Sequence, residues 1–591
     1  MTIKTTPVKL LWLLLLLFCF SSCRTDVSTE TTSFTPDQEF DTFKNEFVEE
    51  LWRLHPDWAS SEGYHLYDSE LVIPDAAYRA KVMAAYQQNL EKLQTFDPEK
   101  LTANNRTDLK MIENFLKSGM WYNNTFKSYE WNPAEYNIGG SVAGILNGRY
   151  DVLEARLRSI STKIANAENY YQTARQIIKQ PTKEHTELAI MQNKGSLSVF
   201  GQPMLDSIQK SGLKQPEKEL LKKRIETAKA SINQYVQYLE QDVLKQKKAG
   251  ELRSFRIGKE LYSTKFKYDL VSRYSADEIF QKAKQRKEEL HQNMAKLSRE
   301  LWPKYFPEKA MPADSLKLIS SLIGIISEKH VHRDSFMLAV EQQIPELVKF
   351  VDDKKLLTQD PEKPLVVRKT PEYMRGVAGA SISAPGPYDK KADTYYNVTP
   401  LDQYTPEQAE SYLREYNFYT LQILNIHEAI PGHYTQLVYS NRSPSIIKAI
   451  LGSGAMVEGW AVYTERMMLE QGYGNNSPEL WLMYYKWHLR VVLNTVLDYS
   501  IHVLGMTEQE AMDLLQKQGF QEKTEAAGKW RRATLSQVQL CSYFTGYTEI
   551  YDLREELKEK QGKKFDLKNF HEEFLSYGSA PVKFIRQMML D

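Results

Sequence analysis

Apolar residues recur every three or four positions along most of this chain, with Glu and Lys filling the intervals, a period that predicts amphipathic helices rather than strands. Phe40, Phe43, Phe47, Leu51 and Leu54 form the first such stripe. Further stripes predict helix over 76–96, 106–118, 152–179, 214–248, 276–302, 315–328, 335–352 and 406–428. Strand-like texture is confined to 254–266 and 376–398; in the second tract Gly, Ser, Pro and paired tyrosines replace the Glu/Lys background. There is no repeat of fixed period, no βαβ alternation and no glycine-rich phosphate loop. The pattern predicts a mainly α protein, one large helical body around a deep cleft with a small β element near its chemistry.

The first residues break the pattern. Lys4 and Lys9 precede an apolar run over 10–20, followed by Ser21, Ser22 and Cys23. A bilayer span needs about 20 apolar residues, so this shorter run reads as the core of an export signal over 1–22. Small residues before a cysteine resemble a bacterial lipobox, with Phe20 in place of the usual aliphatic residue. That reading predicts an exported cell-envelope lipoprotein, facing the periplasm or the cell surface and attached to the membrane by lipid on Cys23. A conventional cleaved signal peptide is the alternative. Residues 23–36, rich in Ser and Thr, then form a tether, and 37–591 a single catalytic domain.

Composition narrows the classes of function. The 591 residues carry 76 basic and 76 acidic side chains, and removing Lys4 and Lys9 leaves 74 against 76. Without a basic excess, binding to nucleic acid by bulk electrostatics is not expected. Of the three cysteines, Cys19 falls in the signal and Cys23 is the proposed lipid site, so Cys541 stands alone and no disulfide forms within the mature chain. Oligomeric state is not legible.

The chemistry concentrates in the last third. Residues 426–436 read IHEAIPGHYTQ, with His427, Glu428 and His433. Zinc hydrolases of the HExxH kind place two histidines four apart on one helix face, beside a glutamate that activates water. Six steps along a regular helix instead leave the two rings about 240° apart. Pro431 and Gly432 can break the helix and return both rings to one ion. Two incidental histidines at the end of an apolar helix explain the spacing equally well. Residues 452–468 read GSGAMVEGWAVYTERMM. Glu458, on a second helix and set among apolar neighbours, completes a His-His-Glu set that leaves a fourth position open for water. A salt bridge to Arg466 or a lysine is the alternative for this acid and for Glu465. Glu465, two turns on, lies on the same face and can support a ligating histidine.

Together HEAIPGH and EGWAVYTE resemble the signatures of the bacterial DUF885 proteins, which sit by their motifs beside the gluzincin metallopeptidases. The similarity extends through HPDWASSEGYHLYDSEL, SFRIGKELYSTKF and NFHEEFLSYGSAPVKFI. The resemblance implies a helical metallopeptidase fold, Zn²⁺ held by His427, His433 and Glu458, and Glu428 as the base. It also points to Asp498 and His502, four apart on one helix, where the carboxylate can orient the imidazole toward substrate, though a satisfied structural pair explains them equally well; Ser500 stands where the family usually has glycine. Gln539, Tyr543 and Gly546 match a third pattern, whose usual preceding Pro-Gly is Gln537-Val538 here. Tyr543 is the candidate oxyanion donor, with Tyr547 its competitor. His571 matches a family position that a structural hydrogen bond explains as well as catalysis does. His330 and His332 read as surface residues.

The expected activity is hydrolysis of peptide bonds by a zinc peptidase, with residues 384–398 offering a strand edge to the substrate. A zinc amidase of small amides, or a peptide-binding lipoprotein without catalysis, are the rival readings.

Overall fold

The structure, a computed structural model, describes residues 34–245, 251–360, 365–370, 379–389 and 393–590. The export signal, Cys23 and most of the tether lie outside these. The fold is mainly α, with one small three-stranded sheet. No helix among the described residues is long and apolar enough to cross a membrane.

Many helices begin where the sequence supplies a cap. Asn417 accepts from the amides of Tyr419 and Thr420 at the start of Phe418–Glu428, and Ser453 accepts from Met456 at the start of Gly454–Glu470. The Asn417 cap divides the stripe over 406–428 into Pro406–Glu415 and Phe418–Glu428. The stripe over 152–179 likewise becomes Leu153–Ile164 and Ala167–Ile177.

One expectation is overturned. Residues 254–266 are not a strand: helix Gly258–Leu270 occupies most of the tract. Tyr262, Phe266 and Leu270, four apart, make its buried face, so the operative period is helical rather than two.

The apolar residues gather into two cores. The smaller is built from residues between Tyr136 and Val243; the larger takes in the remaining helices and the sheet. His185, from the smaller bundle, reaches the Leu535 carbonyl at 3.0 Å and so ties it to helix Lys523–Leu535. At the centre of the larger core lies helix Pro478–Tyr499, buried on nearly every side. It nevertheless carries Lys486, His488, Arg490, Asn494 and Asp498. Such a helix must satisfy its polar groups inside the protein.

The sheet has the order β1-β3-β2, with β1 Leu365–Lys369, β2 Ala380–Ser383 and β3 Thr394–Val398. β3 runs parallel to β1 and antiparallel to β2. The tract 384–398 therefore offers no free edge at β3, because both its sides are paired. Among the described residues, the edge left unpaired beside the His427 helix is that of β2, which packs against Phe418–Glu428. Tyr396 on β3 donates to Asn425 Oδ1 at 2.8 Å, two residues before His427.

Candidate metal centre

Two helices meet at the HEAIPGH motif. Phe418–Glu428 ends with His427 and Glu428, and His433–Ser440 begins with the second histidine. Between them the chain doubles back so tightly that a Cβ on Gly432 would lie 1.9 Å from the His427 carbonyl oxygen, so only glycine fits. The turn is pinned by Trp460, whose indole N–H donates to the Pro431 carbonyl at 2.9 Å. The break changes the helical arithmetic: the two imidazole centroids stand 4.7 Å apart.

Helix Gly454–Glu470 supplies the carboxylate. Glu458 Oε2 lies 3.3 Å from His433 Nε2 and 3.8 Å from His427 Nε2. Glu458 is half-buried, and its Oε2 is a buried atom with no hydrogen-bond partner of good geometry among the described residues. The ligand atoms of His427, His433 and Glu458 all fall within 4.8 Å of one another. The alternative partner for Glu458 is otherwise engaged, since Arg466 pairs with Glu470 at 2.7 Å. Two imidazoles and a carboxylate converging with an unsatisfied buried oxygen between them fit a divalent cation of the zinc type.

The protonation states agree with that fit. Burial, helped by the neighbouring His433, pushes His427 down to about 4, so its ring is neutral at neutral pH and can ligate. Burial alone would raise Glu458 and lower His433, but each outweighs that for the other: the carboxyl is held below its usual range and the imidazole above.

Behind the ligands, His427 Nδ1 stands 2.6 Å from Glu465 Oε1, and the Trp487 indole N–H donates to the same oxygen at 2.9 Å. A carboxylate on the far nitrogen sets the tautomer that leaves Nε2 free. Glu465 is wholly buried, which pushes its carboxyl up, while the Trp487 donor works the other way. Trp487 went unassigned from sequence because an indole in an apolar helix gives no local sign of what its N–H meets.

Glu428 lies at the C-terminal end of its helix, half-buried, with no hydrogen bond or ion pair among the described residues. Tyr543 begins helix Ser542–Gln561. Its phenol lies close enough to Glu458 for each to shift the other's proton affinity, and burial first, then Glu458, raises it to about 12. It remains a protonated donor. Arg532 donates to the Tyr543 oxygen at 3.0 Å and to Gln539 Oε1 at 2.8 Å. Spacing alone assigns Arg532 no role, since its partners are decided by a turn. Tyr547 is otherwise occupied: its oxygen accepts from Arg466 at 2.8 Å.

His502 and Asp498 are bonded elsewhere. His502 is buried, with Nε2 2.8 Å from the Ala533 carbonyl and 3.1 Å from that of Ser536. Asp498 Oδ2 accepts from Tyr262 at 2.6 Å and from the Val538 amide at 2.8 Å. Val538, standing where the family pattern has glycine, adopts φ +71°, a conformation that costs a β-branched residue energy. The Asp498 bond holds that turn, and the turn leads directly into Gln539 and Tyr543. The structure thus places Asp498 and His502 as supports of the Tyr543 turn. His571 is fully buried, with Tyr463 on one nitrogen and the Leu356 carbonyl on the other. His330, expected at the surface, is mostly covered and meets Glu410 at 3.2 Å, whereas His332 is exposed. Cys541 is buried and free.

Fold and site together define a helical protein whose central helices gather a His-His-Glu set, a carboxylate behind it and a phenol beside it. The chain belongs to the family described as bacterial protein of unknown function (DUF885), which matches residues 56–589. A solved structure from Shewanella oneidensis, described as "a putative lipoprotein of unknown function", is 55% identical over 93% of this chain and 100% of its own, with a TM-score of 0.86. One from Colwellia psychrerythraea, described as "the putative lipoprotein", shares the fold at 16% identity, over 94% of this chain and 98% of its own, with a TM-score of 0.76. No curated protein matches.

Proposed function

We propose that this protein is a zinc-dependent peptidase of the cell envelope, held to the membrane by lipid on Cys23. The observation that carries the reading is the convergence of His427, His433 and Glu458 within 4.8 Å, with Glu465 bonded to the far nitrogen of His427. Those three side chains would hold the ion, which when bound supplies a Lewis acid for a peptide carbonyl and acidifies water. Glu428, whose carboxylate has no partner among the described residues, takes the proton from the attacking water and returns it to the leaving amine. Tyr543 donates its phenolic hydrogen toward the oxygen that becomes negative as the carbonyl is attacked. Glu465 and Trp487 keep His427 in one tautomer throughout. The β2 edge, unpaired among the described residues and beside the His427 helix, pairs with the substrate backbone.

The deciding experiment measures metal content and digests a peptide library with the purified protein. About one zinc per chain and cleavage lost in Glu428→Gln are expected; full cleavage by that variant would remove Glu428 from the role. The anchor is tested separately, because Cys23→Ser should leave the membrane fraction, and equal partitioning of both forms would leave only a cleaved signal.

A further inference from the structure

A second group of charges lies beside the metal centre, and its ion pairs do not balance. Helix Pro478–Tyr499 contributes Lys486 and Arg490, and helix Lys523–Leu535 contributes Glu525, Lys529 and Arg532. Two of the cations are matched: Lys486 meets Glu415 at 2.7 Å, and Arg490 meets Glu525 at 2.6 Å. With both acids committed, Lys529 is left over. It is only 5% exposed, and no hydrogen bond or ion pair reaches its ammonium among the described residues. Glu525 and Glu415 act on it only at longer range, opposed by Arg490 and Arg532. Burial together with those two guanidinium groups pushes Lys529 down to about 7. Arg490 Nη1 is also buried without a partner. Four cations thus share two carboxylates.

Keeping this side chain charged in so covered a position is costly, and an anion bound beside it offsets that cost. Its position indicates which anion. Lys529 and Arg532 are three residues apart and share one face of their helix. Arg532 is exposed and bonds to Tyr543, which in turn adjoins Glu458. Arg490 makes its charge felt at His427 and Glu465. Arg532 therefore stands one side chain, Tyr543, away from the Glu458 carboxylate, and Lys529 lies one helical turn from Arg532. Within a peptide, the carbonyl before the last residue and the terminal carboxylate are separated by one residue, about 3.8 Å between Cα atoms.

Resting on the peptidase reading, we infer that Lys529 and Arg532 bind a carboxylate of the substrate, so that this protein acts on the peptide bond next to a carboxylate-bearing C-terminal residue. The carboxylate is either the free C-terminus or an acidic terminal side chain. Lys529 supplies the buried charge and Arg532 a fork that also holds Tyr543 in place.

The test uses the full-length zinc-loaded protein carrying Glu428→Gln, so that binding is measured without turnover. Calorimetry compares three N-acetylated alanine peptides: one with a free C-terminus, one amidated, and one amidated after a terminal Glu. The free acid is expected to bind roughly 10-fold or more tightly than the plain amide, and Lys529→Met and Arg532→Met should each collapse that ratio. If the Glu-terminated amide binds like the free acid and loses the advantage in the same variants, the site stands with a side-chain carboxylate as its ligand. Equal binding of all three peptides, no binding of any, or a preference that survives Lys529→Met overturns it. Lys529→Met should unfold no earlier than the parent on heating, since it removes an unpaired buried charge, so a lost preference is not a lost fold. Incubating the same peptides with protein that retains Glu428 separates the two readings. Acid-selective binding without cleavage sinks the peptidase, and cleavage without acid selectivity sinks only the carboxylate site.

Discussion

Gly459 and Gly546 bring two helices into backbone contact: a Cβ on Gly459 would lie 2.4 Å from the Gly546 Cα, and one on Gly546 would lie 1.7 Å from the Ala455 carbonyl oxygen. Gly459 follows Glu458, and Gly546 comes one turn after Tyr543. The close crossing is therefore what sets the phenol beside the carboxylate. Because the obstacle is backbone, Gly546→Ala should cost stability at or above the usual overpacking range of about 1–3 kcal/mol. It should also weaken zinc binding as the helix carrying Glu458 is displaced. Thermal unfolding and metal content check both, and a variant with the parent's values would mean that the helices separate freely.

Removing a proposed ligand and removing the proposed base should part company. His433→Ala is expected to lose the metal together with activity. Glu428→Gln should keep about one zinc per chain while hydrolysis disappears. Metal analysis beside a peptide assay reads the difference.

The two tyrosines make a paired test. Tyr543→Phe should lower kcat by roughly 10²–10³-fold, with KM little changed and zinc content intact, as expected for a donor used in the transition state. Tyr547→Phe, which gives up only the Arg466 contact, should stay near the parent rate. A large loss at Tyr547 and none at Tyr543 would move the oxyanion role by one turn.

Glu465→Ala should not abolish zinc binding but weaken it by roughly 10–100-fold, the usual cost of losing the group that orients a ligating imidazole. A chelator competition titration measures the change; an unaltered affinity would show that Trp487 and the packing around His427 suffice.

His571 gives a pH prediction for stability. Burial holds it at about 4, against roughly 6.5 in an unfolded chain. Between those values the unfolded chain binds the proton and the native protein does not. The stabilising contribution is thus complete above about pH 6.5 and is lost as pH falls toward 4, by roughly 3 kcal/mol at the lower end. Urea midpoints at pH 7 and pH 4.5 should lie further apart for the parent than for His571→Gln. Equal gaps would mean that other buried groups dominate.

Much of this protein is legible in the sequence because the operative signals are local. The helical stripes mark the elements, since a helix buries whichever face its spacing makes apolar. HEAIPGH and EGWAVYTE mark the residues that converge, since their types are the ones a zinc ion takes. The 254–266 tract misleads because only Tyr262 and Phe266 of its helix's buried face fall within it, Leu270 lying beyond, amid aromatic and β-branched neighbours that suggest a strand.

Other features are decided only when distant segments meet. Spacing by itself could not choose between metal ligands and incidental histidines at 427 and 433; the doubling back at Gly432, clamped by Trp460, brings the two rings together. Nor could it assign Asp498, which supports the Val538 turn from 40 residues away, or leave Lys529 unmatched once Arg490 had taken Glu525. Sequence determines which groups each helix carries and on which face. Packing decides which of those groups find partners, because hydrogen bonds and ion pairs act over a few ångströms, and only the folded chain sets those distances.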